Sequence, residues 1–191
     1  RKNPRYLYVV YQSYADYTLC PMLQPKEMAD CFNLMLLFSL SKKYCIPGLR
    51  LGYIVASPII IDRLKHIRQP WTINAMAIEA GKFLIKRDPK MITDLNAYLA
   101  EAQRLHETLS AIEGLMVMKT DTNFMLVNID TGNTQELKKW LIENYGILIR
   151  DASNFRGLDN HCFRITSQTT EENDALVEAL KEYLAWKKEQ A

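Results

Sequence analysis

Short apolar runs and helical stripes alternate through the first part of the chain. Three runs of aliphatic, aromatic and β-branched residues, at positions 6–10, 33–40 and 51–56, predict buried strands. Apolar residues at helical spacing between positions 60 and 67, after the N-cap candidate Ser57, predict a helix. Strands that alternate with helices are typical of an α/β fold with a mostly parallel sheet.

A predicted helical stretch then separates two parts of the chain. Residues 75–85 have a helical composition, and Asp88 followed by Pro89 predicts the beginning of a longer helix that ends at Gly114. The prediction is therefore three segments: a first α/β part at 1–74, linking helices at 75–114 and a small α+β unit at 115–191.

The last segment mixes strand and helix patterns without an internal repeat. Its final helix begins at a predicted capping box of Thr169 and Glu172. The other expected elements are strands at 116–118, 123–129, 147–150 and 162–166, and a helix at 134–145 before Gly146.

Composition and charge exclude several classes of protein. Lysines and arginines number 24 against 22 acidic residues, and a net charge of +2 argues against a nucleic-acid or membrane-surface role based on bulk charge. No apolar run has the length of a membrane helix, and the first residues lack a signal-peptide pattern. The four cysteines and three histidines show no metal-ligand spacing, so no metal is expected. A cytoplasmic protein with reduced thiols is the resulting prediction.

The residues 39–53 concentrate the chemistry that the sequence offers. Ser39 and Ser41 lie beside Lys42, and Arg50 follows eight residues after that lysine. A neutral lysine amine can form a Schiff base with an aldehyde, and an arginine with two hydroxyls would suit a phosphate dianion. An aldehyde and a phosphate on one molecule describe pyridoxal phosphate. A solvated lysine pair before a Pro-Gly turn is an equally good explanation of these residues alone.

The same segment resembles the lysine segment of fold-type I pyridoxal phosphate enzymes. The resemblance rests on Ser-x-Ser-Lys followed by Gly-Leu-Arg-x-Gly-Tyr, and it is greatest for the branch of histidinol-phosphate aminotransferase and threonine-phosphate decarboxylase. The version at residues 46–50 is similar to the decarboxylase of cobalamin biosynthesis. The resemblance implies that Lys42 carries pyridoxal phosphate and that Ser39, Ser41 and Arg50 hold its phosphate.

This resemblance also implies a fold and partners. It predicts the C-terminal part of a large cofactor-binding domain, mostly a parallel sheet with helices, followed by a small α+β domain. The phosphate-binding turn and the stacking aromatic ring that begin such enzymes are not in this sequence, so we expect a C-terminal half. A homodimer is expected of the intact enzyme, with a phosphorylated amino acid as its substrate.

Tyr11 and Tyr14 fall where the resembling enzymes have two further cofactor ligands. There an aspartate pairs with the pyridine nitrogen, and a tyrosine three residues later bonds the cofactor's phenolic oxygen. Tyr14 fits the second role, whereas Tyr11 replaces the aspartate. A phenol is neutral at pH 7, so it offers a hydrogen bond but no counter-charge. Tyr11 is therefore a substituted position in the predicted site.

Two arginines in the last segment are candidates for substrate binding. Arg150 and Arg164 have the separation of a pair that grips anionic substrate groups in the resembling branch. An arginine in an apolar strand is costly unless it meets an anion, although a carboxylate of the protein could equally be that anion. The segment 154–159 between them is more similar to the decarboxylase than to the aminotransferase.

Three hypotheses about function follow. The first is decarboxylation of a phosphorylated hydroxy amino acid such as threonine phosphate, with Lys42 as the catalytic residue. The second is an aminotransferase that uses Lys42 as a general base. The third is a catalytically inactive fragment, which Tyr11 favours together with the missing N-terminal segments.

Overall fold

A computed structural model describes residues 3, 5–28 and 31–190 of this chain. Their contacts separate a first unit that ends at Thr93 from a second unit that begins at Asp94. This boundary falls inside the stretch 75–114 that the sequence predicts to link two domains. The helices on either side of the boundary belong to different units, and each unit is described here by itself.

The first unit contains a three-stranded sheet. Its strands are β1 (Tyr8–Tyr11), β2 (Leu34–Ser39) and β3 (Gly52–Ala56), in the order β1-β2-β3. All three predicted runs form strands, but the mostly parallel sheet expected from the sequence is only partly present. Strand β1 is parallel to β2, whereas β3 is antiparallel to it. The side chains of β1 are largely exposed, and this strand forms an edge of the described sheet.

In addition to short 3-10 turns, the described part of the first unit contains three α-helices. They are α1 (Leu40–Lys43), α2 (Pro58–Ile67) and α3 (Ala75–Arg87). The Asn74 side chain accepts a hydrogen bond from the Ala77 amide and thereby caps α3 at its beginning. At the other end Asp88, with a φ of 40°, ends the helix in the left-handed region.

The long helix of the second unit begins later than the sequence predicts. Helix α4 (Leu95–Ser110) is capped by the Asp94 side chain, which accepts from the Ala97 amide. The prediction of a helix start at Asp88 and Pro89 is therefore wrong, because Asp88 closes the preceding helix. A proline directly after a helix end is common, since its ring cannot continue the helix.

The second unit is a four-stranded antiparallel sheet with helices. Its order is β4-β5-β7-β6, and strand β7 pairs on both sides. Helix α6 begins at the predicted capping box of Thr169 and Glu172. The elements are β4 (Leu115–Val117), β5 (Phe124–Ile129), α5 (Thr134–Tyr145), β6 (Arg150–Asp151), β7 (Cys162–Thr166) and α6 (Thr170–Glu189).

Alternate residues of β5 and β7 divide the second sheet into two faces. Met125, Val127, Phe163 and Ile165 lie in the core with the apolar sides of α4, α5 and α6. Arg164 therefore points to the opposite face of β7. Of the predicted strand at 147–150 only Arg150 is in a strand. Among the described residues, no helix has both the length and the apolar character to cross a membrane.

Candidate functional site

The backbone around Lys42 is held on two sides. On one side the amides of Leu40 and Ser41 donate to the carbonyl of Leu51 at 3.1 and 3.3 Å, and the Ser41 hydroxyl donates to the same oxygen at 3.3 Å. On the other side the Tyr17 hydroxyl donates to the carbonyl of Lys42 at 2.9 Å. A helix of only four residues has little stability of its own, so these outside bonds define where Lys42 lies.

The side chain of Lys42 contacts Tyr14, one of its predicted neighbours. Its Nζ atom lies 5.6 Å from the centroid of the Tyr14 ring, within the range of a cation–π contact. Tyr14 in turn meets Tyr17 edge-on, with ring centroids 5.9 Å apart. The structure therefore brings together two residues that are 28 positions apart in sequence and that the resemblance assigns to one cofactor.

Four more of the predicted site residues line one cavity. Tyr11, Ser39, Ser41 and Arg50 surround a space of about 300 Å³. Its other walls come from the ends of β2 and β3: Leu37, Phe38, Leu51, Gly52, Tyr53 and Ile54. Lys42 is not among the lining residues, although it follows Ser41 directly.

The turn between α1 and β3 gives Arg50 its place at this cavity. Arg50 has a φ of 54°, in the left-handed region, and its guanidinium donates to the carbonyl of Pro47 at 2.8 Å. At Gly52 a Cβ atom would lie only 2.5 Å from the Phe38 carbonyl oxygen, so no larger residue fits between the strands. Gly52 is thus a requirement of this backbone, whereas a Cβ atom at Gly48 would meet nothing within 4 Å.

The residues of this cavity fit one end of pyridoxal phosphate better than the other. Two hydroxyls and a guanidinium are donors suited to a phosphate dianion, and the cavity volume is within the range of ligand pockets. Ser13, in the same corner as Tyr11 and Tyr14, has a buried hydroxyl without a hydrogen-bond partner. Tyr11 is 65% exposed, and a phenol can hydrogen-bond a ring nitrogen without the counter-charge that a carboxylate supplies.

A second, larger cavity lies next to the first and contains groups that the sequence analysis did not single out. It measures about 610 Å³ and shares Phe38, Ser39 and Tyr53 with the first. Lys43 and Asp88 also line it. Asp88 is 45 positions from Lys43, and no spacing in the sequence indicates that the two meet.

Asp88 is the acceptor for two neighbouring groups in this cavity. Its Oδ1 atom lies 2.8 Å from Lys43 Nζ and accepts a hydrogen bond from the Tyr44 hydroxyl at 2.7 Å. Asp16 lies farther from Lys43, at 4.0 Å. The hydrogen bond that Lys43 donates to Asp88 raises the pKa of Lys43, and the same bond lowers the pKa of Asp88. Burial raises the pKa of Tyr44.

Arg150 and Arg164 form a cationic site within the second unit. They lie directly opposite each other in the β6–β7 register, so their side chains leave the sheet on the same face. With Lys138 they line a cavity of about 720 Å³. Arg150 contacts Asn154 at 3.4 Å, and Arg164 lies 5.4 Å from the Phe124 ring. No carboxylate of the described residues forms an ion pair with either guanidinium, which leaves two cations side by side.

Comparison with known proteins identifies the family. The family model for aminotransferase class I and II matches residues 8–180. The chain belongs to this family. The class I/II aminotransferase chain is similar in structure to an L-threonine-O-3-phosphate decarboxylase from Porphyromonas gingivalis, with a TM-score of 0.91 and 36% identity. That match covers 96% of this chain and 57% of the decarboxylase.

Curated relatives of this aminotransferase-family chain carry two different names. A Caldanaerobacter subterraneus subsp. tengcongensis protein, provisionally named threonine-phosphate decarboxylase, is 36% identical over 89% of this chain and 45% of its own length. A histidinol-phosphate aminotransferase from Parabacteroides distasonis is 34% identical over 94% of this chain and 51% of its own length. The chain thus spans about half the length of the curated relatives it matches.

Proposed function

We propose that this chain carries the lysine-bearing part of a pyridoxal phosphate-dependent enzyme that decarboxylates a phosphorylated hydroxy amino acid. The observation that carries the proposal is the single cavity lined by Tyr11, Ser39, Ser41 and Arg50. These four positions, assigned from the family resemblance, come from β1, β2, α1 and the turn before β3, and their meeting is what a shared cofactor requires. Membership of the class I/II aminotransferase family supports the same cofactor.

Each residue of the first unit would have a defined role. The Ser39 and Ser41 hydroxyls and the Arg50 guanidinium would bind the cofactor phosphate. The Lys42 amine would attach to the cofactor's aldehyde, and the Tyr14 hydroxyl would hydrogen-bond the phenolic oxygen. When bound, pyridoxal phosphate supplies an electron sink for negative charge that develops at the substrate's α-carbon.

Arg150 and Arg164 would bind the anionic groups of the substrate. Two guanidiniums on one face of the sheet, with Lys138 at the same cavity, suit a ligand that carries both a carboxylate and a phosphate. Such a ligand would offset the repulsion between the two arginines. Threonine phosphate has both groups.

Decarboxylation is the first choice because two sequence segments and two relatives favour it. The segments 46–50 and 154–159 are similar to the decarboxylase. Two proteins that this chain is similar to, one from Caldanaerobacter subterraneus and one from Porphyromonas gingivalis, are named for that activity. The alternative is an aminotransferase, in which Lys42 would move a proton at the substrate's α-carbon. The histidinol-phosphate aminotransferase relative supports this second hypothesis. A homodimer and a cytoplasmic location remain predictions.

Cofactor attachment is the first test. The chain is mixed with pyridoxal phosphate, reduced with borohydride and digested, and the modified peptide is identified by mass spectrometry. We expect the pyridoxyl group on Lys42, and Lys42→Ala and Arg50→Gln should respectively abolish and weaken the labelling. Labelling spread evenly over surface lysines would contradict the proposal.

The reaction products then separate the three hypotheses. Threonine phosphate is supplied in deuterated water with the cofactor, with and without an oxo acid as amino acceptor. A decarboxylase releases carbon dioxide and places a deuteron at the former α-carbon without needing the acceptor. An aminotransferase retains the carboxylate and requires the acceptor. Attachment at Lys42 without either product would support the inactive fragment.

A further inference from the structure

Two adjacent lysines lie beside the proposed cofactor site, and among the residues that the structure describes only Lys43 has a carboxylate partner. Lys43 Nζ is 2.8 Å from Asp88, whereas the Nζ atom of Lys42 lies over the ring of Tyr14. A lysine attacks a carbonyl carbon through its nitrogen lone pair, forms a C=N bond and releases water. An ammonium group has no lone pair to offer, so a carboxylate that keeps one lysine protonated makes that lysine less reactive.

Lys43 is within reach of small molecules and therefore a competitor of Lys42. It lines the cavity of about 610 Å³, which shares Ser39 with the proposed phosphate-binding cavity. Its side chain is 32% exposed. An aldehyde that enters this cavity would meet the amine of Lys43, one residue from the lysine proposed to react.

We infer that Asp88 directs carbonyl chemistry to Lys42 by holding the neighbouring Lys43 as an ammonium ion. The inference deepens the proposed function and rests on it for the identity of Lys42 as the reacting lysine. The Tyr44 hydroxyl, which is almost fully buried with its ring, donates to the same Asp88 oxygen at 2.7 Å and fixes the carboxylate in place. Asp16, at 4.0 Å from Lys43, adds a weaker attraction.

The fold places Asp88 well for this role. It ends helix α3 in the left-handed region, where its amide donates to the Leu84 carbonyl. Its backbone is thus fixed independently of Lys43. Lys43 ends α1, whose position is fixed by the bonds from Leu40 and Ser41 to Leu51. The ion pair therefore joins two anchored points rather than two mobile chains, which reduces its entropic cost.

The test measures the reactivity of both lysines with a reagent that needs no cofactor site. The full chain is treated with limiting formaldehyde and cyanoborohydride, and fragment spectra give the methylation ratio of Lys43 to Lys42. In Asp88→Asn we expect this ratio to rise about two- to fivefold, the effect of losing a partly exposed ion pair. Asp88→Glu should restore most of the selectivity, since it retains a carboxylate.

Two variants and one internal reference make the result decisive. Glu79→Gln removes the partner of Lys82, 2.6 Å away on the surface of α3, and should leave the Lys43-to-Lys42 ratio unchanged. Asp16→Asn should raise the ratio by less than Asp88→Asn and does not touch the helix end. Circular dichroism of each variant checks that it is folded, and labelling rates are referred to Lys138 in the second unit.

The contrary outcomes are distinct from failure of the proposed function. An unchanged ratio in both Asp88→Asn and Asp16→Asn would overturn the inference, as would Lys43 reacting faster than Lys42 in the unmodified chain. Absence of pyridoxyl label on Lys42 would instead contradict the proposed function, while the formaldehyde ratio would still decide the role of Asp88.

Discussion

Tyr11 occupies the last position of β1, where the resembling enzymes have an aspartate. Its ring is 65% exposed and lines the cavity that also contains Arg50. A carboxylate at this position would hold a pyridine nitrogen protonated, whereas a phenol adds only a neutral hydrogen bond. A carboxylate and a phenol therefore differ in the fixed charge that they would place beside the cofactor. Such preorganised charge usually makes the largest contribution to the rate enhancement of an enzyme.

The first prediction is that Tyr11→Asp increases decarboxylation of threonine phosphate by the cofactor-loaded chain. We expect about a 10²-fold rise in kcat, by analogy with the effect of one preorganised polar group. Stability should change by no more than about 0.5 kcal/mol, because the side chain is on the surface. Tyr11→Phe is the matched control and should not increase the rate. A rate equal to that of the unmodified chain would show that Tyr11 already fulfils the role.

The second prediction concerns the two arginines that face each other across β6 and β7. Arg150→Gln should stabilise the second unit by about 0.2–1 kcal/mol without ligand, because it removes a like-charge pair directly across two strands. The same substitution should raise KM for a phosphorylated substrate, since one anion-binding group is lost. Urea unfolding and steady-state kinetics measure the two effects. A loss of stability would mean that Arg150 has a stabilising partner within the protein.

Helix ends show how far sequence patterns predict the elements of this chain. The sequence locates α5 and β7 to the residue, and it also locates the beginning of α6. Gly146 and the Thr169–Glu172 capping box are unambiguous signals for the end of α5 and the beginning of α6. It misplaces the start of α4, because Asp88 and Asp94 are equally good N-cap candidates. Only the fold reveals that Asp88 is needed at the end of α3, in a conformation that aspartate tolerates better than most residues.

The strand predicted at residues 147–150 fails for a related reason. Gly146 ends α5 with a φ of 66° and donates to the Ile142 carbonyl, and Ile147 donates to the Leu141 carbonyl. These amides complete the helix end instead of joining a neighbouring strand. An apolar run predicts that its side chains are buried, as Ile149 is, but it does not predict which group each backbone amide bonds.

Glu101 links two helices of the second unit. Its carboxylate accepts from Arg104 at 2.8 and 2.9 Å on its own helix, α4, and from Asn173 and Thr170 on α6 at 2.7 and 3.2 Å. The third prediction is that Glu101→Gln destabilises this unit by about 1.5–3 kcal/mol, because charge-assisted bonds to partly buried groups are lost. Glu178→Gln, which removes an exposed pair with Lys181, should cost less than about 0.5 kcal/mol.

Tryptophan fluorescence during urea unfolding measures both variants. Trp140 and Trp186 lie against the core of the second unit, while Trp71 in the first unit is 96% exposed and should respond little. Equal urea midpoints for the two variants would show that Glu101 contributes no more to stability than an exposed carboxylate does.

The fourth prediction is the pH dependence that Glu101 confers. The hydrogen bond from Arg104 is the main cause that lowers the pKa of Glu101 to about 2 from its ordinary value of 4.5. A depressed folded-state pKa gives stability that is complete above the unfolded value and is lost as the pH falls towards the folded one. The urea midpoint should therefore decrease from about pH 4.5 downward. Glu101→Gln should lack this part of the decrease, and parallel curves for both proteins would contradict the assignment.

The candidate site also shows that sequence patterns predict local neighbours but not contacts between distant residues. The family motif predicts which residues are near one another within 15 positions, and three of them, Ser39, Ser41 and Arg50, line one cavity. It does not predict Asp88, because a contact between α1 and the end of α3 depends on how the helices pack. A chemically relevant ion pair between distant residues leaves no local signal in a single sequence.

At the scale of the whole molecule, the two units differ in how much apolar surface they bury. The large hydrophobic cluster of the described residues lies entirely in the second unit, between Leu105 and Leu184. In the first unit Leu36, Leu40 and Tyr44 are buried, but Tyr8 and Val9 of β1 are about half exposed. Backbone amide hydrogens exchange with solvent fastest where few apolar contacts oppose local unfolding.

The fifth prediction is that hydrogen exchange of the unmodified chain follows this division. Amides of β5 and β7 should exchange slowly, because both strands pair on each side and cover the core cluster with their inner faces. Amides of β1 should exchange faster, since β1 pairs with β2 on one side only among the described strands. Peptide-level mass spectrometry at neutral pH resolves the two regions.

If pyridoxal phosphate attaches at Lys42, protection should increase around residues 39–53, since a ligand that binds the folded form stabilises it. The second unit, measured in the same spectra, is the internal reference. Protection of β1 equal to that of β7 would mean that another part of the protein or a second copy covers this strand.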